Sequence, residues 1–150
     1  ELLSSYYQKE ITAMHIAVRT SLPDNRLFID GNAEQLGKTI MSLLNNGMYA
    51  IAKKYGKKAY PAEIGLALES KDGQAVIRLY DNGVGIEQSI LDKIFDPFFT
   101  TKTTGEAAGI GLYLSKEIIL NHHGQIAVRS EKDELTEFTI TLPLWEEKSV

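Results

Sequence analysis

Apolar and polar residues along this chain switch between two periods. Between residues 75 and 81 the period is two: Ala75, Ile77 and Leu79 alternate with Val76, Arg78 and Tyr80. That is the mark of a strand with one apolar face. A similar run near 62–69 is joined to it by the turn signal "SKDG", which predicts a hairpin. From Ala33 to about Lys54 the spacing lengthens to that of a helix, with Asn32 placed to cap it. "IEQSILDKIF" reads as a short helix stopped at Pro97, and "GIGLYLSKEIILNHH" as a longer one closed by Gly124. "QIAVRS" and "EFTITLPL" read as two final strands, and "MHIAV" and "NRLFID" as two short strands around "LPDN". Residues 98–108 have no period and are rich in Thr and Gly, so they read as a loop. The expected architecture is α+β, a two-layer sandwich of one mostly antiparallel mixed sheet with helices on one face.

Composition changes this picture little. The chain has 150 residues, enough for one domain with a real core, and is 43% apolar and 24% charged. A formal net charge of -4 gives no electrostatic reason to expect nucleic acid or an acidic membrane surface. No run approaches the roughly 18 apolar residues of a membrane span, so no direct membrane contact is expected. Without cysteine there is no disulfide, no Cys-ligated zinc and no thiol nucleophile, which fits a cytoplasmic protein. No repeat or linker divides the chain, so residues 1–150 are expected to form a single domain. "ELLSSYYQ" is expected to end a helix arriving from upstream, and a start at Glu1 rather than Met suggests a piece of something longer.

Four features carry candidate chemistry. By parity Asp81 points with Ile77 and Leu79 toward the core, where a carboxylate is costly unless something hydrogen-bonds to it. On the long helix, Leu36, Ile40, Leu43, Leu44, Gly47 and Ile51 make one apolar stripe. Asn46 lies beside it, with Thr39, Ser42, Ala50 and Lys53 near the same edge. Such an edge is either an ordinary polar flank or a place where an Asn oxygen meets a hydrated magnesium ion and Lys53 meets a phosphate. In "GEAAGIGLYLSK", Gly109 and Gly111 stand where loop becomes helix, so free backbone N–H groups there suit a phosphate, although plain turn chemistry gives the same pattern. In "IFDPFFTTK", Phe98 and Phe99 form a hydrophobic latch before a polar loop; Thr100, Thr101 and Lys102 can hydrogen-bond to what that loop covers, or the latch simply anchors a surface loop.

In order, an Asn-bearing helix, a strand running to "DNGVGI", "FDPFFTTK", then "AAGIGL" and a helix resemble the ATP-binding catalytic domain of sensor histidine kinases. That domain belongs to the wider superfamily that includes gyrase, Hsp90 and MutL, with its Bergerat-type ATP-binding fold. The resemblance implies that Asp81 accepts a hydrogen bond from the adenine amino group. Gly83 and Gly85 would shape the pocket wall, Ile86 would pack near the base, and Thr136 would make the second adenine contact. Asn46 would bind magnesium, Phe98 and Phe99 would form the latch, and Gly109, Ile110, Gly111 and Leu112 would lie by the triphosphate, with Lys102 beside the reacting phosphate. Departures from the usual pattern are Ser42 for asparagine, Gly47 for alanine, Tyr49 for lysine, "AAGIG" for a Gly-Thr-Gly start and Leu135 for glycine.

The resemblance also implies ATP and magnesium as cofactors, and a dimerisation domain of the same protein bearing the phosphoacceptor histidine. A response regulator would act downstream, the isolated domain would be a monomer and the full-length protein a homodimer. No histidine in this chain fills the acceptor role: His15 lacks the acidic residue and arginine that usually follow, and His122 and His123 fit a helix C-terminus, where a cation is favoured. Competing readings are an ATP-hydrolysing clamp, an anti-sigma-type serine kinase and a non-catalytic ATP-binding signalling module. The first two use a glutamate one helical turn before the magnesium asparagine, and Ser42 stands there.

Overall fold

Five segments become five strands of one mixed sheet in a computed structural model, which describes residues 8–9, 11–13, 15–56, 61–99 and 111–147. The strands are β1 Ala17–Ser21, β2 Glu63–Lys71, β3 Gln74–Asp81, β4 Gln125–Glu131 and β5 Leu135–Pro143. Their order is β1-β2-β3-β5-β4; β1 runs parallel to β2 and the remaining pairs are antiparallel. The "SKDG" turn forms the β2–β3 hairpin as expected, with Asp72 and Gly73 both at positive φ.

The register decides which side chains meet. Asp81 stands opposite Thr136 on one side and Ile64 on the other; Leu79 pairs with Phe138 and Ile77 with Ile140. This face is covered by two helices, α1 Ala33–Tyr55 and α2 Gly111–Asn121. Leu43 of α1 and Ile119 of α2 join Leu79, Phe138, Ile140 and Leu142 in one core. A second cluster, with Ile16, Met48, Ile51 and Ile64, closes the β1 end. The other face carries polar pairs in water: Tyr80 Oη donates to Glu63 at 2.7 Å, and Arg78 pairs with Glu69 at 2.8 Å. The α+β two-layer expectation therefore holds. No helix among the described residues is long and apolar enough to cross a membrane.

Asn32 caps α1 as its sequence position predicts, its Oδ1 accepting from the Gln35 N–H at 2.9 Å. Other local expectations need correction. Residues 25–30 form no strand: an extended run needs a partner, and here the Phe28 carbonyl accepts one backbone bond, from Trp145 N–H. His15 sits in a turn with φ 50°, just ahead of β1. "IEQSILDKIF" yields only the 3-10 helix Gln88–Lys93. The left-handed residue ending α2 is His123, φ 60°, rather than Gly124. Gly124 instead permits a close approach. Its N–H bonds to the Ile119 carbonyl at 2.9 Å, and a Cβ there would collide with the Thr141 carbonyl oxygen.

His122 also differs from expectation. Its Nδ1 donates to the Ile118 carbonyl at 2.7 Å, and its Nε2 accepts from the Asn32 N–H at 3.0 Å. Both partners are backbone groups, one at the cap of α1 and one in the last turn of α2, so this side chain ties the two helices together.

Two glycine substitutions separate close approach from helix propensity. Gly124→Ala is expected to lose about 1–3 kcal/mol, because β5 backbone occupies the space a methyl needs. Gly37→Ala, in exposed α1 with nothing within 4 Å of a new Cβ, is expected to gain about 0.5–1 kcal/mol. Urea unfolding of the two variants checks both signs.

Candidate nucleotide site

The site begins where β3 ends. After Asp81 the chain must leave the sheet, pass beneath α1 and return to the β4–β5 turn, and two glycines permit it. A Cβ on Gly83 would come within 2.7 Å of the Ile51 nitrogen of α1. Gly85 has φ 71° and lies against the Glu131 carbonyl. Backbone bonds then stitch the segment at both sides: Val84 N–H to the Ala50 carbonyl at 3.1 Å, and Asp133 N–H to the Val84 carbonyl at 2.6 Å. Ile86 N–H donates to Ser130 Oγ at 2.8 Å. Glu87 and Lys132 pair at 2.7 Å on the rim.

Between this segment and the helices lies a cavity of about 850 Å³, the size of a small-ligand pocket. Asp81, Gly85, Ile86, Phe99 and Thr136 line it, as do Asn46 and Lys53 of α1 and Gly111 and Leu112 of α2. Nine of the expected site residues are thus brought together. Gly83 is buried behind the wall, packed on α1. Phe98 and Phe99 part company: Phe99 faces the cavity, while Phe98, with φ 64°, is 75% exposed. Phe95 supports this corner through an edge-to-face contact with Phe138, centroids 6.3 Å apart. Thr101, Lys102, Gly109 and Ile110 lie outside the described residues.

Asp81 is only 5% exposed, and its Oδ1 accepts from the Gly83 N–H at 2.9 Å. Burial pushes its carboxyl up to about 7, against the opposing pull of the Gly83 N–H and of Lys54. Lys54 itself is held by the carbonyls of Asn82 and Asp133. Across the sheet, Thr136 is 4% exposed and its Oγ1 lies 2.9 Å from Ser130 Oγ. The floor of the cavity therefore offers oxygen acceptors beside Ile86, Phe99 and Phe138.

The other end is set by α2. Its first residue packs so closely that a Cβ on Gly111 would sit 2.9 Å from Ser42 Oγ. Lys53 is eleven residues further along α1 than Ser42, about 16 Å at 1.5 Å per residue, so it lies at the opposite end from the start of α2. Among the described residues no cluster of three His, Cys, Asp or Glu could hold a metal by itself. Sequence reasoning missed Ser130, although it is a polar residue on the apolar parity of Ile126 and Val128, the same signal that exposes Asp81. It also missed the Lys54 contacts, which no periodicity reports.

Comparison with known proteins gives the same direction throughout. Residues 31–146 match the family described as histidine kinase-, DNA gyrase B-, and HSP90-like ATPase. The two-component sensor PprA of Pseudomonas aeruginosa is 33% identical over 129 residues, 86% of this chain and 14% of its own length. The signal transduction histidine-protein kinase AtoS of Escherichia coli is 39% identical over 122 residues, 81% of this chain and 19% of its own. The chain thus spans about a fifth or less of these relatives. Among solved structures, the catalytic domain of histidine kinase ThkA superposes with a TM-score of 0.78 at 22% identity, covering 94% of this chain and 87% of that one. Full-length ShkA in complex with AMPPNP gives 0.81 at 16% identity, covering 99% of this chain and 30% of that one. These last two likenesses show the fold.

The raised Asp81 carboxyl fixes a pH dependence. Between the unfolded value near 3.8 and the folded value of about 7, the folded chain holds a proton that the unfolded chain has released. Its contribution to stability is complete below pH ~4 and lost as pH rises through ~7. Asp81→Asn is therefore expected to be more stable than the wild type at pH 8, by about 1–3 kcal/mol, and level with it near pH 4. Denaturation without nucleotide at several pH values reads the difference; parallel curves would mean that the carboxylate is solvated.

Proposed function

This chain belongs to the histidine kinase-, DNA gyrase B- and HSP90-like ATPases, and from that membership we propose that it is the Mg-ATP-binding catalytic domain of a two-component sensor histidine kinase. It would pass the γ-phosphate of ATP to a histidine on a separate dimerisation domain of the same protein. The observation that carries this reading is the buried Asp81 facing Thr136 at the floor of the cavity, with Ser42 and the start of α2 at its other end. The sensor-kinase names of the relatives support the same choice over a clamp ATPase.

In this reading Asp81 accepts from the adenine amino group, Thr136 makes the second contact, and Ile86 with Phe99 flanks the base. The N-terminus of α2, with Gly111 and Leu112, turns backbone N–H groups toward the triphosphate, joined by Gly109 and Ile110. Lys53, at the far end of α1, serves the base or sugar end more readily than a phosphate. Thr101 and Lys102, outside the described residues, would hydrogen-bond to the nucleotide's phosphates, as the family resemblance implies. Asn46 fits magnesium, because a metal carried mainly by phosphate oxygens and water needs one amide oxygen and no carboxylate cluster. Held there, magnesium would neutralise charge on the triphosphate.

Phosphoryl transfer asks this domain for positioning more than for acid–base chemistry. A neutral imidazole attacks the γ-phosphorus, an N–P bond forms, the P–O bond to ADP breaks, and the chain supplies alignment. Ser42 is no general base for water. The full-length protein would be a homodimer acting at the cytosol on a response regulator.

Asp81→Asn is expected to weaken ATP binding by about 1–3 kcal/mol while the protein stays folded, since an amide NH2 would then face the adenine amino group. Calorimetry on the folded variant measures it, and unchanged affinity would remove Asp81 from adenine recognition. Mixed with ATP and its cognate histidine-bearing domain, the chain is expected to place acid-labile phosphate on the partner and to release little free phosphate alone. Fast hydrolysis by the isolated chain, indifferent to the partner, would favour a clamp ATPase.

A further inference from the structure

Ser130 is 3% exposed and is not among the residues that line the cavity, yet its hydroxyl touches two that do. Ser130 Oγ lies 2.8 Å from Ile86 N, 2.7 Å from the Leu135 carbonyl oxygen and 2.9 Å from Thr136 Oγ1. A serine hydroxyl has one proton and two lone pairs. The Ile86 N–H can only donate, so it takes one lone pair. The Leu135 carbonyl can only accept, so it takes the proton. What remains for Thr136 is the second lone pair, so Thr136 must donate its own proton to Ser130. With that proton committed, Thr136 shows the cavity lone pairs only. Beside it Asp81, when ionised, also only accepts.

We propose that Ser130 is a positioning residue that fixes Thr136 as an acceptor and so makes the cavity floor select a 6-aminopurine over a 6-oxopurine; this rests on the nucleotide reading above. An exocyclic amino group donates through two N–H bonds, one for each acceptor, whereas a 6-oxopurine offers one donor, N1–H, beside a carbonyl that only accepts. With N1–H satisfying at most one of the two, the other acceptor faces the carbonyl unpaired, which is how a hydrogen-bonding site rejects the wrong analogue. Without the Ser130 hydroxyl, the Thr136 proton loses its partner. The side chain is then free to turn a donor toward a carbonyl, and Ile86 loses the bond that holds the pocket wall.

The test compares ATP with ITP, which carries a carbonyl in place of the 6-amino group, by magnesium-supplemented titration of the chain. Wild type is expected to prefer ATP, and Ser130→Ala to shrink the ATP:ITP affinity ratio about tenfold, the weight of one hydrogen bond. Partial unfolding lowers both affinities alike and leaves the ratio unmoved, so a purely structural role predicts no change. Ser130→Cys, close in shape but a weak donor and acceptor, is expected to shift the ratio the same way if alanine does not fold. In a Thr136→Val background, Ser130→Ala is expected to change the ratio no further. A wild-type preference for ATP that survives Ser130→Ala, or an equal effect with and without Thr136, overturns this inference and leaves the nucleotide reading intact. Failure of the wild type to bind ATP overturns that reading, and this inference with it.

Discussion

A buried carboxylate at the end of a central strand is the constraint around which the site is arranged. Taking a charge from water costs several kcal/mol unless hydrogen bonds or a change of protonation relieve it, and Asp81 receives one backbone N–H, from Gly83. The bend that offers this N–H brings residue 83 against α1, where only glycine fits. Once there, the segment can turn back to the β4–β5 corner, which holds it through Val84, Ile86 and Glu87. The pocket wall is thus a consequence of how the strand carrying Asp81 terminates.

Such a site lowers the stability of the empty protein. A carboxyl that burial pushes up to about 7 is a group that a ligand can satisfy better than the fold does, which is a common mark of functional sites. The surrounding structure compensates through ordinary means. Leu79, Phe138 and Ile140 supply a close-packed core immediately beside Asp81, and His122 clamps α2 to the cap of α1. The two helices therefore hold the cavity walls in place.

The division of labour along α1 follows from helix geometry. Ser42 meets the start of α2, Asn46 and Ala50 face the middle of the cavity, and Lys53 ends the row. Each step of about 1.5 Å per residue spreads these groups over the length of a nucleotide rather than clustering them. That spacing suits a reaction in which the protein positions and neutralises, and the α1 residues within one turn of Ser42 include no carboxylate.

Much of this was legible in the chain itself. Period-two alternation with the "SKDG" turn determined the β2–β3 hairpin, and the same parity placed Asp81 and Thr136 inward, because side chains of a strand alternate whatever the partner. Asn32 as a cap was equally local. What the sequence could not decide were matters of partnership. Residues 25–30 read as a strand, but among the described residues they find one backbone bond outside the helices and strands, with Trp145, and a strand exists only where a neighbour does. Gly124 reads as a helix terminator, yet its necessity comes from the Thr141 carbonyl, which is close only once β5 has paired. His122 reads as a helix-end residue, and its tie to the cap of α1 exists only because Asn32, ninety residues away, presents an N–H to it. Ser130 carries a visible parity signal, but its meaning depends on three groups that only tertiary structure brings within hydrogen-bond reach. Periodicity reports the direction of a side chain, and long-range packing decides what it meets there.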